Sequence, residues 1–234
     1  MHIENAVVLV TGANRGLGRV FVQTALARGA RKVYAAARQP DTVDVDGAVP
    51  LRLDVTRPQD AAAAAALASD VTLVVNNAGI SLAGGVAGAD GLEVLRRQLD
   101  TNCLGLLHVA QAFAPVLRAN GGGAMVNILS ALSWVNAPGI GGYCVSKAAA
   151  WGLTNALRNE LRGQGTLVVG LHAGFIDTDM ARGFPGPKTP PASVAAQAFD
   201  AVQAGQEEVL ADEPARHAQA ALGAGRYLQA LAFK

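Results

Sequence analysis

The chain has 234 residues, of which 51% are hydrophobic and 16% charged, so it can bury the core of one large domain but is too short for two ordinary ones. Its 19 Lys and Arg residues nearly balance its 18 Asp and Glu residues, and the net charge of +1 argues against a nucleic-acid or anionic-membrane partner. The apolar runs are shorter than the roughly 20 residues of a membrane helix, so we expect a soluble protein.

The start of the chain, the cysteines and the histidines point to no special chemistry. Residues 1–5 lack the basic and then apolar layout of a secretory signal, so a cytoplasmic location is expected. Cys103 and Cys144 lie in no Cys-x-x-Cys or Cys/His cluster, which favours small core residues over a disulfide framework. The four histidines lack metal-ligand spacing, and no metal site is predicted.

Short apolar runs alternate with longer helical patterns along the whole chain. Strands are predicted at 6–10, 32–37, 50–53, 72–76, 124–129 and 166–172, with a weaker one at 208–210. Helices are predicted at 18–28, 59–68, 92–118, 143–162, 193–203 and 215–232. This alternation predicts a single doubly wound, three-layer α/β domain over residues 1–234, with a buried parallel sheet of the Rossmann type.

One dense Pro/Gly segment, residues 183–191, interrupts this pattern without dividing the chain. One interpretation is a mobile substrate loop spanning about 179–192. The other is an ordinary surface connector, and the sequence leaves both open.

A glycine-rich turn, Thr11-Gly12-Ala13-Asn14-Arg15-Gly16-Leu17-Gly18, follows the first strand and opens the first helix. A phosphate at such a helix start would meet unpaired backbone N–H groups and the positive end of the helix dipole. The spacing Gly-x3-Gly-x-Gly differs from both the G-x-G-x-x-G fingerprint and the P-loop. On its own it also fits a tight turn without a ligand.

The end of the second strand bears on the choice of nucleotide. An acidic residue there binds the ribose 2′-OH of NAD, whereas an arginine accommodates the 2′-phosphate of NADP. Arg38 follows this strand and Arg15 lies in the glycine turn, so two guanidinium groups could clamp one phosphate. This favours NADP, the alternative being two solvated surface arginines.

Tyr143 and Lys147 stand four residues apart at the start of the fourth predicted helix. Residues at this spacing share one helix face, so the phenol and the ammonium can point into one cleft. A tyrosine with its ordinary pKa of about 10 is a poor base at neutral pH, and a nearby cation would lower that pKa. Many such pairs are solvated helix faces, so the pair alone is not specific.

Together these motifs resemble those of the short-chain dehydrogenases/reductases, in the family's order, from the first strand to Met180. The resemblance also rests on Leu53-Asp54-Val55-Thr56, Asn76-Asn77-Ala78-Gly79, Asn102 within a helix, and Ser130 at the end of the fifth strand. Ser130 precedes Tyr143 by 13 positions, a spacing typical of the family.

The resemblance implies reversible reduction of a ketone or aldehyde to an alcohol by hydride transfer from NADP(H). In the implied catalytic set, Tyr143 gives the proton and Ser130 bonds the carbonyl oxygen. Lys147 would hold the ribose and lower the tyrosine pKa, and Asn102 would anchor a water that links the lysine to solvent. Asn102 could also serve only to bind a neighbouring helical carbonyl.

The resemblance further implies cofactor contacts at the carboxyl ends of the strands. These are Gly12, Asn14, Arg15, Gly16, Leu17, Gly18, Arg38, Asp54, Val55, Asn76, Ala78, Gly79, Tyr143, Lys147, Gly174, Ile176 and Thr178. Asp54 would accept from the adenine amino group, and Asn77 is interpreted as a tie between strands. The expected substrate contacts are Ser130, Leu132, Trp134, Ile140, Met180 and Phe184, which suit an uncharged hydrophobic compound, although each apolar one could equally be core packing.

Two stretches depart from the family's pattern. Its usual Pro-Gly after the sixth strand is Ala173-Gly174 here, which leaves the turn less preset. An alanine-rich helix replaces the Gly-Gly segment that builds tetramers in many members, which leaves a homodimer through helices 92–118 and 143–162, or a monomer, as open alternatives.

Two other classes of protein compete with the enzyme. A non-catalytic NADP(H)-binding redox sensor would tend to lose the Ser-Tyr-Lys set, which this chain keeps. A nucleotide-sugar epimerase or dehydratase would need a longer chain to house the sugar nucleotide.

Overall fold

A seven-stranded parallel sheet forms the centre of the computed structural model, which describes residues 1–228. Its strands are β1 (Val7–Thr11), β2 (Lys32–Ala37), β3 (Val49–Arg52), β4 (Leu73–Asn76), β5 (Ala124–Ile128), β6 (Leu167–His172) and β7 (Glu208–Leu210). They lie in the order β3-β2-β1-β4-β5-β6-β7. The chain changes direction across the sheet between β1 and β4, which opens a crevice at the carboxyl ends of the strands. The predicted doubly wound α/β fold is confirmed.

Seven helices of the described chain cover the two faces of the sheet. They are α1 (Gly16–Ala27), α2 (Pro58–Leu67), α3 (Gly91–Leu99), α4 (Gly105–Ala119), α5 (Gly141–Leu161), α6 (Pro191–Ala204) and α7 (Glu213–Leu222). In β1, Val8 and Val10 pack toward α1 and α6, whereas Val7 and Leu9 pack toward α2, α4 and α5. Because both faces are covered, every strand position can be apolar, as the sequence shows. Among residues 1–228, no helix is long and apolar enough to cross a membrane.

The predicted helix 92–118 is interrupted in the structure. A π-helical turn, Asp100–Leu104, separates α3 from α4, and it carries Asn102. Gly105 follows it at a close approach, since a Cβ on this glycine would lie 2.7 Å from a methyl carbon of Val55. Such turns occur mostly as single insertions in α-helices and often at functional sites.

Other predicted boundaries were wrong by a few residues, for local reasons. The side chain of Asp212 caps α7, so this helix begins at Glu213 rather than at 215. It ends at Leu222, before a short 3₁₀ turn at Arg226–Leu228, and the last residues of the predicted helix, 229–232, lie outside the described chain. Helix α6 begins at Pro191, so the predicted loop 179–192 includes the first two residues of a helix.

Candidate active site

Ser130 lies directly beyond β5 and begins a short 3₁₀ turn, Ala131–Ser133. Its hydroxyl accepts a hydrogen bond from the Leu132 amide at 3.1 Å, and the Ser133 hydroxyl accepts one from the Ser130 amide at 3.3 Å. This reciprocal capping fixes a buried hydroxyl at the carboxyl end of the strand. The hydroxyl also lies near enough to the phenol of Tyr143 to lower its pKa.

Tyr143 and Lys147 lie on one face of α5, as the four-residue spacing predicts. The Lys147 Nζ atom is 5.8 Å from the centre of the Tyr143 ring. It donates a hydrogen bond of 2.7 Å to the carbonyl oxygen of Ile128, the last residue of β5, and the lysine is only 5% exposed. Three predicted catalytic side chains, those of Ser130, Tyr143 and Lys147, are therefore brought together at the end of β5.

Burial moves the pKa values of this pair in opposite directions. It raises the pKa of Tyr143 to about 12, against the hydrogen bond from Ser130, which favours the phenolate. It lowers the pKa of Lys147 to about 8. The expected lowering of the tyrosine pKa is not seen in the protein alone, because burial is the largest influence on it and Lys147 is not among the groups that shift it. At neutral pH Tyr143 is therefore an uncharged phenol.

Asn102 uses its whole side-chain amide to join two segments beside this group. Its Nδ2 donates to the Ile80 carbonyl at 2.9 Å and to the Ser146 hydroxyl at 2.8 Å, while its Oδ1 accepts from the Ile80 amide at 2.8 Å. A Cβ on Gly79 would lie 3.3 Å from Asn102 Oδ1 and 3.8 Å from Lys147 Nζ. The side chain thus binds the loop after β4 and not a neighbouring helical carbonyl, and the water relay stays a prediction.

The glycine turn forms a close cradle between β1 and α1. Gly12 and Gly16 have φ angles of +65° and +53°, and a Cβ on Gly18 would lie 2.2 Å from the Gly12 carbonyl oxygen. Within residues 1–228, no side chain caps the start of α1, so its first N–H groups can bind an anion. Asn77 donates from Nδ2 to the Thr11 carbonyl at 2.9 Å and so ties β4 to β1, as predicted.

The predicted adenosine side lies at the ends of β1, β2 and β3. Arg15 and Arg38 are both exposed. Burial raises the pKa of Asp54, but the hydroxyl and amide of Thr56, with the charges of Arg38 and Arg57, outweigh it and leave the pKa lowered. Asp54 is therefore an anion within the field of Arg38.

Other predicted cofactor residues take different positions. Asn14, Ala78 and Gly79 are half-buried at the crevice, whereas the side chains of Leu17 and Val55 are buried. Asn76 is also buried, and its Nδ2 donates to Asn127 Oδ1 at 2.8 Å. Its side chain thus faces the interior of the protein.

The turn after β6 carries the predicted contacts Gly174, Ile176 and Thr178. Ile176 forms a parallel bridge with Thr189. A Cβ on Gly16 would lie 3.6 Å from the Thr178 side chain, so this turn faces the glycine cradle across the crevice. The Gly174 amide donates to Asp212 Oδ2 at 2.8 Å, a contact that the sequence reasoning missed. The sequence Asp212-Glu213-Pro214 is typical of a helix start, but it does not indicate the distant partner.

The predicted substrate residues differ in exposure. Leu132, Ile140 and Phe184 are half-buried and Met180 is 56% exposed, and Phe184 stacks on Phe175 with ring centres 3.6 Å apart. Trp134 is only 6% exposed, and it stacks on His172 at 3.8 Å. The burial of Trp134 therefore favours core packing over a substrate contact for this residue.

His172, one of the four histidines without metal-ligand spacing, is a fully buried support of the Ser130 backbone. Its Nδ1 lies 3.0 Å from the Ser130 carbonyl oxygen. Burial lowers the pKa of His172 to about 4, so the ring is neutral at pH 7. Because a carbonyl only accepts, Nδ1 carries the proton.

Comparison with known proteins identifies the family. The chain matches the family model described as short chain dehydrogenase over residues 6–186, and it belongs to this family of oxidoreductases. It is similar to a short chain dehydrogenase from Burkholderia cenocepacia solved in complex with NADP, with 37% identity, 97% of each chain covered and a TM-score of 0.92.

Two curated relatives show how far the similarity extends. An uncharacterized oxidoreductase of Schizosaccharomyces pombe is 32% identical over 66% of this chain, and the match spans 54% of that protein. The 3-oxoacyl-[acyl-carrier-protein] reductase FabG of Vibrio cholerae is 26% identical over 78% of each chain. The resemblance read from the motifs is thus confirmed at the level of the family.

The buried His172 gives a pH dependence of stability with a definite sign. Its ordinary pKa of 6.5 falls to about 4 on folding, so the unfolded chain binds the proton first. The free energy of unfolding is expected to fall by about 3 kcal/mol from this residue as the pH drops from 6.5 to 4. Urea unfolding of the wild type and His172→Gln over this range measures the difference. The exposed His217→Gln is the control, and parallel curves for wild type and His172→Gln would contradict the assignment.

Proposed function

We propose that the protein is an NADP(H)-dependent oxidoreductase that reversibly reduces a ketone or aldehyde to an alcohol by hydride transfer. The observation that carries this proposal is the group at the end of β5. There the Tyr143 phenol lies beside the Ser130 hydroxyl, which lowers its pKa, and the buried Lys147 ammonium is 5.8 Å from the centre of the phenol ring. Proton donor, carbonyl-binding hydroxyl and cation thus share one site, which carbonyl reduction needs.

The residues around this group fit a nicotinamide dinucleotide. The glycine cradle and the first N–H groups of α1 would hold the diphosphate, since no side chain of residues 1–228 occupies that helix start. Gly79 would leave room for a ribose beside Lys147, because it has no side chain. A Cβ at this position would already lie 3.8 Å from the Nζ atom, so a larger side chain would fill that space. Ile176 and Thr178 would face the nicotinamide carboxamide from the turn after β6. When bound, the cofactor supplies the hydride.

The chain's own residues would handle the proton and the carbonyl oxygen. The Ser130 hydroxyl donates to this oxygen and polarises the carbonyl as charge develops on it. The Tyr143 hydroxyl then gives its proton to the same oxygen, which yields the alcohol and leaves a phenolate. The Lys147 ammonium stabilises that phenolate electrostatically, and the reverse reaction returns the proton to Tyr143.

The preference for NADP(H) rests on Arg38 and Arg15. Both are exposed at the carboxyl ends of neighbouring strands, where guanidinium groups can form bidentate bonds to a 2′-phosphate. Asp54, which follows β3, is held by the amide and hydroxyl of Thr56 and acts on Arg38 only through its charge.

The proposed substrate is an uncharged, hydrophobic carbonyl compound. Leu132, Ile140, Met180 and Phe184 would line its site, and the loop up to Pro190 would move as it enters. Assembly as a homodimer through α3, α4 and α5 stays a prediction. Val145, on α5, is 41% exposed and would be part of that face.

Replacement of Tyr143 tests the catalytic assignment. Tyr143→Phe deletes the proton donor and is expected to lower NADPH turnover with an aldehyde by roughly 10²–10⁴-fold while cofactor affinity is kept. Tyr34→Phe, a buried tyrosine in β2, is the matched control and should retain turnover. Unchanged turnover in Tyr143→Phe would refute the assignment.

Replacement of Arg38 tests the choice of cofactor. Arg38→Ala is expected to weaken NADPH binding by roughly 10–100-fold, because it removes charge-assisted bonds to the 2′-phosphate, and to leave NADH binding almost unchanged. Fluorescence titration with each nucleotide measures both affinities. Arg31→Ala, at the other end of β2, is the control, and equal losses for NADPH and NADH in Arg38→Ala would exclude the role.

A further inference from the structure

Asp212 lies between β7 and α7 and is a buried carboxylate with three hydrogen-bond donors. Its Oδ2 accepts from the Gly174 amide at 2.8 Å and from the Thr189 hydroxyl at 2.8 Å. Its Oδ1 accepts from the Ala215 amide at 2.9 Å and so caps α7. Only 8% of the residue is exposed, so these bonds replace the water that a carboxylate needs.

The two donors to Oδ2 stand at the two ends of one loop. The Thr189 amide donates to the Phe175 carbonyl at 2.7 Å, and the Asp177 amide donates to the Thr189 carbonyl at 3.0 Å. The base of the loop is therefore closed by two backbone hydrogen bonds. Asp212 also joins the two sides of the loop, through its hydrogen bonds from Gly174 and Thr189. From this closed base Thr178 faces the glycine cradle, while the Ile176 side chain packs against the core.

The first residues of helix α7 pack closely against the turn after β6. A Cβ on Gly174 would lie 2.9 Å from the Cβ of Pro214, which leaves space for glycine alone. The turn is also joined to the Ser130 segment, because the Ala131 amide donates to the Ala173 carbonyl at 2.9 Å. Ala215 in α7 packs with Trp134 in that segment. The start of α7 is thus held between the turn after β6 and the Ser130 turn.

We propose that Asp212 is a positioning residue for the nicotinamide half of the cofactor site. It acts through Gly174 and Thr189, and it fixes the turn that brings the Ile176 backbone and the Thr178 side chain to the crevice. The bond from the Gly174 amide also supplies rigidity to a turn in which alanine stands at position 173, where a proline ring would preset the backbone. This inference rests on the proposed function.

Two ligands separate this role from general stability. NADP⁺ carries the nicotinamide, whereas adenosine 2′,5′-bisphosphate carries the 2′-phosphate and the adenosine without it. Asp212→Asn keeps the shape of the side chain but offers one acceptor oxygen in place of two, so the α7 cap and the Gly174 bond cannot both persist. We expect Asp212→Asn to weaken NADP⁺ roughly tenfold and to leave the bisphosphate unchanged.

Variants of Thr189 test the same contact without altering the helix cap. Thr189→Val removes the hydroxyl that donates to Oδ2 and should weaken NADP⁺ in the same selective way, whereas Thr189→Ser should restore wild-type affinity. Hydrogen exchange of the protein alone gives a second readout. Peptides spanning 174–189 should exchange faster in Asp212→Asn and in Thr189→Val, with no change in β1 or β5.

A control in α7 distinguishes positioning from loss of stability. Ala218→Gly lowers the helix propensity of α7 without touching the carboxylate, so it should reduce the melting temperature and leave the ratio of the two affinities unchanged. Equal weakening of both ligands in Asp212→Asn, or no weakening of NADP⁺, would overturn the positioning role while the proposed function stands. Failure of the wild type to bind either ligand would overturn the proposed function and this inference together.

Discussion

A buried ammonium at the end of a β-strand is the constraint on which the site depends. Lys147 is 5% exposed, and its Nζ atom donates to the last carbonyl of β5 at 2.7 Å. An unpaired buried charge is costly, so the strand end, the start of α5 and the loop at Gly79 must hold their places around it. The Asn102 side chain fixes that loop to the Ser146 hydroxyl on α5, and the π-helical turn presents it. The sheet and the segments packed on it thus shield the Lys147 ammonium from water.

The same burial sets the protonation states that the proposed reaction needs. It holds the pKa of Tyr143 at about 12 and that of Lys147 at about 8, so neutral pH selects a phenol beside an ammonium. A phenol can give a proton to a carbonyl oxygen, and the phenolate left behind is stabilised by the cation. Two further buried groups, the neutral His172 behind Ser130 and the carboxylate of Asp212 behind Gly174, support the backbone on either side.

Much of the fold and of the site could be predicted from local patterns. Alternating apolar runs and helical periods indicated the parallel sheet, and motif order indicated the family to which the chain belongs. The rest depends on tertiary contacts. The π-helical turn carries Asn102, whose partner Ile80 is 22 residues away, and the partners Gly174 and Asp212 stand 38 residues apart. The direction of the Tyr143 pKa depends on how deeply the fold buries the phenol. The sequence shows that a lysine is near, but not how far burial raises the pKa of the phenol.

The pKa of Lys147, measured by nuclear magnetic resonance, tests this account most directly. The chain has four lysines, and a Lys147→Met variant identifies the signal of Lys147 in protein labelled with ¹³C and ¹⁵N at lysine. Titration of the protein alone is expected to give a midpoint near 8 for this signal, the value that burial imposes. A midpoint near 10.5, the ordinary value for a solvated lysine, would contradict the buried ammonium at the end of β5.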